Sequence, residues 1–348
     1  MAQRRRGKIM EFKKYSEIEN TYRSKTIHQI EMEGKSGGQW GVTLKVHGSN
    51  FSVYMSPDGM KCAKRSGFIG ENNPFYNHDY VLDKQLVSLQ MVYSEIRKTT
   101  EFKEVIFYGE IFGGLYPHKD VPKVINQTVV QKGVYYSPEN KFIVFDIKAD
   151  GKYLDYDKVV DVCSRYGVLH AKILFEGTLE ECLKYPNEFS DPLCKEFGLP
   201  EIENNICEGV VIKPNDTRYF NDGSRIILKN KNEKFKENVG GVKVEKEQKE
   251  INPEIVDKAQ KVLDYCNDNR LNAVLSKIGT VTNKDFGKLL GLLSQDMYSD
   301  FIKDHENFFD DMSNVDKREV QKLVSTGVST FLRKQFLNIL DGNKNENN

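Results

Sequence analysis

The sequence changes character near residue 236, and this change constrains the fold more than any other feature. Before it, short runs rich in Val, Ile, Phe and Tyr alternate with turn residues, which predicts β-strands. Helical periodicity occurs among them at 80–96, 156–166 and 179–184. The predicted strands are Val42–Lys45, Phe51–Met55, Val105–Glu110, Phe142–Ile147, Cys207–Lys213 and Arg225–Lys229. Because strands and helices do not alternate regularly, we expect an α+β domain rather than repeated βαβ units.

Helical patterns fill the sequence after residue 250. Asn252 can cap a helix that begins with Pro253. Further helical patterns cover Leu271–Ile278, Lys284–Ile302 and Lys317–Leu340. The segment 239–250 is polar, with a Gly240-Gly241 pair, and is typical of a linker. The predicted organisation is a leader or disordered arm at 1–9, a first domain at 10–238, a linker at 239–250, a helical domain at 251–341 and a disordered tail at 342–348.

Charge and cysteine content narrow the possible functions. The 51 Lys and Arg residues balance the 51 Asp and Glu residues, so a site for a polyanion must come from local clustering of cations. The six cysteines are widely spaced and form no CxxC pair, which favours a reducing intracellular compartment, and we expect the cytoplasm. No apolar run approaches the ~18 residues that span a bilayer, so we expect no membrane insertion.

The first candidate for chemistry is the string from Lys45 to Phe51, which reads Lys-Val-His-Gly-Ser-Asn-Phe. A lysine at a strand end, followed by a turn-forming glycine, can point its amine into a cleft. Cationic neighbours or desolvation can then make such an amine nucleophilic. The same short pattern also fits an exposed lysine before an ordinary turn, and this alternative is the more frequent one when the pattern stands alone.

Further clusters of charged and aromatic residues follow at the ends of predicted strands. They are Lys64-Arg65-Ser66-Gly67, Tyr108-Gly109-Glu110, Phe145-Asp146, Glu208-Gly209 and Lys229-Asn230-Lys231. Each cluster alone also fits a buried strand that ends in polar residues at the rim of a sheet. Their joint occurrence in this order indicates one catalytic site.

Taken together, these motifs resemble the covalent nucleotidyltransferase superfamily of ligases and capping enzymes. Within it, the string from Lys45 to Phe51 is similar to the Lys-x-His-Gly-(Thr/Ser)-Asn-Phe pattern of the bacteriophage-type RNA ligase 2 family, which includes the trypanosome RNA-editing ligases. The similarity covers most of the chain, from Phe12-Lys13-Lys14-Tyr15 to Lys284–Lys288. It implies an α+β nucleotidyltransferase domain of the ATP-grasp-like ligase type, with antiparallel sheets and flanking helices, followed by a small all-α C-terminal domain.

The resemblance implies an ATP-dependent RNA ligase that works in three steps. Lys45 would attack the α-phosphate of ATP to form lysyl-AMP, and the AMP would pass to an RNA 5′-phosphate. A 3′-OH would then displace the AMP and seal the strand. The expected substrate is a nick in duplex RNA with 3′-OH and 5′-phosphate ends, and the expected enzyme is a monomer.

The resemblance also implies roles for individual residues. Lys229 and Lys231 would hold the α-phosphate, and Arg65 would hold the AMP phosphate or the RNA 5′-phosphate. Glu110 would lie near the ribose hydroxyls, Phe145 would stack on adenine, and Mg²⁺ or Mn²⁺ would bind near Glu208 and Glu110. The expected catalytic residues are Lys45, Arg65, Lys229 and Lys231. The expected nucleotide site comprises Lys45, Val46, His47, Asn50, Arg65, Glu110, Phe145, Glu208, Lys229 and Lys231.

Two points stay open from the sequence. Asp146 either supports the metal site or simply ends a strand. The family usually has Glu immediately before the nucleophile, and here that residue is Leu44, which we expect to face away from the pocket because side chains alternate along a strand.

Two other functions share most of these motifs. A DNA ligase or an RNA-capping guanylyltransferase uses the same covalent lysine, but such enzymes usually continue into a β-rich OB domain where this chain is helical. A non-catalytic RNA-binding relative would keep the fold without the reaction. Binding alone, however, does not require a nucleophile with matched acids.

Overall fold

The computed structural model describes residues 10–70, 75–99, 103–237 and 252–345. The predicted arm at 1–9 and the predicted linker at 239–250 lie outside these residues. The chain forms two compact units that divide between Asn232 and Glu233. The first unit is α+β and the second is helical, so the predicted fold class is confirmed. No helix in the described ranges is long and apolar enough to cross a membrane.

The strands of the described residues build two sheets. They are β1 Glu19–Asn20, β2 Trp40–Leu44, β3 Ser49–Ser56, β4 Gly59–Lys64, β5 Gly67–Phe68, β6 Val105–Gly113, β7 Asn140–Ala149, β8 Lys152–Tyr153, β9 Ile173–Gly177, β10 Gly209–Pro214 and β11 Leu228–Lys231. One sheet has the order β1-β11-β10-β2-β9, and the other has the order β5-β4-β3-β6-β7-β8. Neighbouring strands are antiparallel except β1 and β11, which are parallel.

Helices cover the outer faces of both sheets and form the second unit. The first unit contains α1 Ser24–Met32, α2 His78–Thr99, α3 Tyr156–Arg165, α4 Leu179–Leu183 and α5 Leu193–Glu196. The second contains α6 Pro253–Leu263, α7 Asp268–Ile278, α8 Phe286–Asp304 and α9 Asn314–Asn345. The sequence patterns therefore located the long helices correctly, while α1, α5 and the strands β1, β4, β5, β8 and β9 were not predicted.

Three apolar clusters arrange the first unit in layers. The six-stranded sheet packs one face against α2 and α3, in a cluster that includes Phe51, Phe107, Leu89 and Val159. The five-stranded sheet packs one face against α1 and α4, in a cluster that includes Trp40, Val210, Ile30 and Leu179. Residues of the two remaining faces meet in a third cluster with the N-terminal segment, and it includes Tyr15, Tyr54, Tyr108, Val211 and Ile227. The two sheets therefore pack face to face through this third cluster.

Two predicted strand bounds shift for physical reasons. β10 starts at Gly209 rather than Cys207, and β11 starts at Leu228 rather than Arg225. Arg225 instead forms an isolated bridge with Tyr219, and its guanidinium is buried against Asp146. The β11 ladder therefore begins only where Leu228 pairs with Ile212.

The second unit has its own core and begins before the predicted boundary at residue 238. Asn269 Nδ2 donates to the carbonyls of Lys234 at 2.9 Å and Lys236 at 2.8 Å. Arg270 donates to the Glu237 carbonyl at 3.2 Å. The segment that follows β11 is therefore held by α7, which is why the division lies at Glu233.

The ends of the helices refine the predicted limits of this unit. Asn252 caps α6 as predicted, because its side chain accepts the Glu254 N–H at 3.0 Å. α9 continues to Asn345, into the segment 342–348 that was predicted as a disordered tail. Phe336 and Ile339 pack against the core of the unit and support the helix close to its end. Residues 346–348 lie outside the described part of the chain.

Candidate active site

The ends of three neighbouring strands bring two predicted lysines and Glu208 together. In the five-stranded sheet, β10 lies between β2 and β11. Lys45 follows β2 directly, and its backbone N–H donates to the Gly209 carbonyl at 3.0 Å. Lys231 ends β11 in register with Gly209. β2 and β11 therefore end at the sheet edge where β10 begins, and the three side chains meet there.

Glu208 is the anion at this edge, and only 2% of its surface is exposed. Lys45 Nζ lies 2.8 Å from Oε2, and Lys231 Nζ lies 3.0 Å from Oε1. His47 Nδ1 lies 3.5 Å from Oε2. Burial alone would raise the pKa of Glu208, but the two ammonium groups and His47 hold it well below its usual range. Glu208 is therefore ionised and keeps two cations at one point of the site.

Two glycines let the backbone form this arrangement. Gly209 has a φ of +143°, and a Cβ there would lie 2.9 Å from Lys231 Cα. At Gly48, in the turn after Lys45, a Cβ would overlap the Ile111 carbonyl oxygen and lie 2.8 Å from Glu110 Cγ. Only glycine fits at these two close approaches.

The turn is also held by a residue that the sequence did not point to. The His47 N–H donates to the Tyr136 hydroxyl at 2.7 Å, and Tyr136 is itself buried. Its ring packs edge-on against Phe112 at 5.2 Å between centroids. Tyr136 therefore fixes the backbone two residues after Lys45.

The six-stranded sheet supplies the acidic side of the site. Glu110 on β6 lies directly opposite Asn50 on β3, so both side chains lie on one face. Burial raises the pKa of Glu110 to about 8 against the opposing charge of Lys45, and the Glu208 carboxylate adds to the rise. Arg65 and Lys231 also lower it. Glu110 thus shares one electrostatic environment with Glu208 and three cations.

Phe145 lies at an irregularity in the sheet. Between β6 and β7, Tyr108 pairs with Asp146 and Gly109 pairs with Val144, so Phe145 is the extra residue of a β-bulge. A bulge changes the direction of its side chain relative to a regular ladder. The Phe145 ring is half-buried and packs against Tyr15 at 4.9 Å between centroids. Stacking on a base requires a flat aromatic face that is partly exposed.

The remaining predicted residues lie on β11, after β4 and in the turn after β2. Lys229 and Lys231 alternate on β11 and lie on one face of it, with Lys229 opposite Val211. Arg65 follows β4, and its guanidinium donates to the Tyr15 carbonyl at 2.9 Å. Val46 is buried beside Lys45. The chemical role of each predicted residue stays a prediction.

Leu44 faces away from the site, as the alternation of side chains predicts. It is buried and pairs with Val210, which belongs to the core on the outer face of the sheet. An acid at this position would enter an apolar layer.

A buried ion network joins the two sheets behind the site, and the sequence had left its central acid unassigned. Asp146 is fully buried. Its Oδ2 accepts hydrogen bonds from Arg225 at 2.7 Å, Tyr15 at 2.7 Å and Lys213 at 3.2 Å. Burial would raise the pKa of Asp146, but Arg225 and Lys213 hold it below its usual value. Asp146 is therefore a buried acid that ties β7 to β10 and to the N-terminal segment.

The same network supports two of the predicted nucleotide contacts. Lys213 Nζ donates to the Phe145 carbonyl at 2.9 Å. Tyr15 packs on the Phe145 ring, and its carbonyl accepts from Arg65. The motif strings contained Tyr15, Lys213 and Arg225, but nothing in their spacing showed that they share one acid.

Models of two protein families match this chain, one in each unit. Residues 38–231 match the family model described as RNA ligase. Residues 246–330 match the model described as T4 RNA ligase 2 C-terminal.

Individual relatives agree with these matches. RNA-editing ligase 2, mitochondrial, of Trypanosoma brucei brucei is 30% identical over 356 residues, which cover 85% of this chain and 84% of the relative. RNA-editing ligase 1, mitochondrial, of the same organism is 27% identical, and the match covers 84% of this chain and 76% of the relative. Among solved structures, Naegleria gruberi RNA ligase with PPi is 18% identical with a TM-score of 0.42. That match covers 64% of this chain and 57% of the Naegleria chain, less than two thirds of its length. By the family models and the editing-ligase relatives, this chain belongs to the RNA ligase family, in its RNA ligase 2 branch, and is an ATP-dependent RNA ligase.

Proposed function

We propose that the enzyme joins RNA 3′-OH and 5′-phosphate ends through lysyl-AMP and RNA-adenylate intermediates, and that its preferred substrate is a nick in duplex RNA. The observation that carries the proposal is the Lys45–Glu208–Lys231 arrangement, in which one buried carboxylate holds two ammonium groups at 2.8 and 3.0 Å. Attack on a phosphate requires a nucleophile and positive charge near the phosphate oxygens, and this pair of lysines can supply both.

In the first step, Lys45 Nζ loses a proton and attacks the α-phosphorus of ATP. A bond forms between Nζ and phosphorus, the bond from phosphorus to the bridging oxygen breaks, and pyrophosphate leaves. Phosphoryl transfer depends mainly on positioning and charge compensation. Lys231 can supply such charge, because its ammonium lies on the same carboxylate as that of Lys45. Lys229 lies on the same face of β11.

In the second and third steps, AMP serves as a leaving group. An oxygen of the RNA 5′-phosphate attacks the lysyl-AMP phosphorus, and the amine of Lys45 is released. The RNA 3′-OH then attacks the activated 5′-phosphate, a phosphodiester forms, and AMP departs. Arg65 suits a phosphate in these steps because guanidinium can donate two parallel hydrogen bonds.

The acidic side chains of the site fit a divalent metal. Mg²⁺ in nucleotide enzymes is commonly bound through one or two carboxylates together with substrate phosphates and water. Glu110 and Glu208 offer two carboxyl groups close enough for the charge of Glu208 to raise the pKa of Glu110. They would hold Mg²⁺ or Mn²⁺, and the bound cation would neutralise charge on the phosphates.

The second unit favours duplex RNA over the alternative substrates. DNA ligases and capping enzymes usually continue into an OB domain, and here residues 253–345 are helical in the described part of the unit. The match of residues 246–330 to the T4 RNA ligase 2 C-terminal model supports the same branch. We infer that this unit binds the duplex around the break.

The enzyme is proposed to act as a monomer in the cytoplasm. All the site residues come from one chain, so a single copy suffices. All six cysteines lie in the described part of the chain and are free thiols, which suits a reducing compartment.

The test uses the full-length protein with α-labelled ATP and Mg²⁺, and the label on the denatured polypeptide is measured. Wild type should become labelled, and Lys45→Ala and Lys45→Arg should not, because arginine stays protonated. Lys45→Ala should still seal RNA that already carries a 5′-adenylate, at a reduced rate. A labelled Lys45→Ala protein would overturn the assignment. Comparing nicked duplex RNA with single-stranded RNA then tests the preferred substrate.

A further inference from the structure

Helix α9 presents a row of cations on one face of the second unit. Its buried face carries Val320, Val324, Val328 and Leu332. At 100° per residue, Arg318, Lys322 and Arg333 fall within about 60° of one another. Arg318 and Lys322 lie about 160° around the helix from Val320, and Arg333 lies about 100° from Leu332. All three are exposed. Within the described part of the chain, none of the three forms an ion pair.

Several other cations of this unit form ion pairs. Arg270 binds Asp296 and Asp300, Lys258 binds Asp311, and Lys261 binds Asp257. The acidic residues of α9 do not share the cationic row: Asp316 lies about half a turn away from Arg318, and Glu319 lies at its edge. The row therefore carries uncompensated positive charge in a chain whose total charge is zero.

The residues between the cations indicate the kind of partner. Ser325 and Ser329 lie on the same face, and no large apolar side chain interrupts the row from Arg318 to Arg333. Protein interfaces usually centre on buried aromatic or aliphatic anchors, and the row has none between Arg318 and Arg333. The exposed Val315 lies at the same angle but three residues before the row begins. Cations and hydroxyl groups are instead the side chains that contact a phosphate backbone. The row spans about 22 Å, which is enough for several phosphates.

We propose that this face of α9, defined by Arg318, Lys322, Ser325, Ser329 and Arg333, holds the phosphate backbone of the duplex RNA substrate. The proposal rests on the proposed function and names the surface through which the second unit binds the duplex. Each cation that meets a phosphate releases a counterion, so binding should weaken with salt in proportion to the number of contacts.

The test is a full-length triple variant, Arg318→Gln, Lys322→Gln and Arg333→Gln. A control variant, Lys184→Gln, Lys195→Gln and Lys261→Gln, removes the same charge from lysines that form exposed ion pairs. Affinity for nicked duplex RNA is measured at several salt concentrations. We expect the α9 variant to bind at least ~10-fold more weakly at low salt and its log–log salt slope to fall by about 2 to 3, at about 0.9 for each lost contact. The control should retain the wild-type slope.

Labelling with ATP and sealing of RNA show whether the proposed function or the α9 surface is at fault. Labelling with ATP shows whether the catalytic site is intact, because lysyl-AMP forms without RNA. If wild type does not become labelled or does not seal RNA, the proposed function fails. If wild type seals RNA and the α9 variant keeps the wild-type affinity and salt slope, the α9 surface is wrong. Equal losses in the α9 and control variants would also overturn it, since net charge alone would then explain the effect.

Discussion

The ammonium groups of Lys45 and Lys231 lie on opposite oxygens of one carboxylate, Glu208, at 2.8 and 3.0 Å. Without that carboxylate, the two cations at the ends of β2 and β11, on either side of β10, would repel each other. With it, they stay together in a site of low solvent access, where charge acts more strongly than in water. The pair is thereby in place before a nucleotide arrives.

We predict that Glu208→Gln lowers formation of lysyl-AMP by at least ~100-fold, because it removes a preorganised charge from the site. The measurement is the rate of labelling with α-labelled ATP. Glu203→Gln changes an exposed acid of the same loop and should keep the wild-type rate. A Glu208→Gln protein that labels normally would show that the shared carboxylate is dispensable.

We predict that Gly48→Ala lowers the same rate by ~10-fold or more. The added Cβ would meet the Ile111 carbonyl and the Glu110 side chain, so the turn after Lys45 would have to move. Gly37→Ala is a matched control, since a Cβ there meets nothing within 4 Å. Equal activity of the two variants would mean that the turn adjusts without cost.

We predict that Asp146→Ala destabilises the first unit by about 3–5 kcal/mol, because it leaves Arg225 and Lys213 buried without their anion. Trp40 is the only tryptophan in the sequence and is buried in this unit, so its fluorescence during urea unfolding reports on the right part of the chain. Asp161→Ala breaks an exposed pair with Arg165 and should cost less than about 1 kcal/mol. Similar midpoints for both variants would contradict the prediction.

We predict that Asp191→Asn raises the free energy of unfolding relative to wild type by more at pH 8 than at pH 5. Asp191 is 2% exposed, its Oδ2 has no hydrogen-bond partner in the described residues, and burial raises its pKa to about 7. Because the folded-state pKa is above the unfolded one, wild type loses stability as pH rises from about 4 to about 7. Asn cannot ionise. The difference in unfolding free energy between the variant and wild type should therefore grow from about pH 4 to about pH 7, by at most about 1.4 kcal/mol per pH unit. A pH-independent difference in the unfolding midpoint would refute it.

Local pattern predicted the fold class, whereas the residues around Lys45 were predicted from the motifs and the family that they resemble. Alternating apolar residues define the strands, and Lys45, Glu208 and Lys231 each lie next to a strand end, where register alone brings them together. Contacts between distant segments carry no such pattern. Tyr136 reaches His47 across 89 residues, and Arg225 reaches Asp146 across 79, so neither pairing could be derived from spacing.

The bulge at Phe145 illustrates the same limit at the scale of one strand. The sequence predicted a regular strand from Phe142 to Ile147, and the structure has a strand there. The extra residue in the ladder depends on how β6 and β7 pair, not on the composition of β7. The stacking role of Phe145 stays a prediction, and the placement of its ring depends on an irregularity that only the paired strands reveal.

The hydrogen bonds from Asn269 fix the backbone shortly after β11 ends. The first anchored carbonyl belongs to Lys234, three residues beyond Lys231. Three extended residues span at most about 10 Å, so the fixed Lys234 carbonyl lies within that length of chain from Lys231. The Lys231 ammonium lies on Glu208, and the backbone three residues later is fixed by α7. A substitution that removes the Asn269 side-chain amide would therefore leave the segment directly after Lys231 without two of its hydrogen bonds.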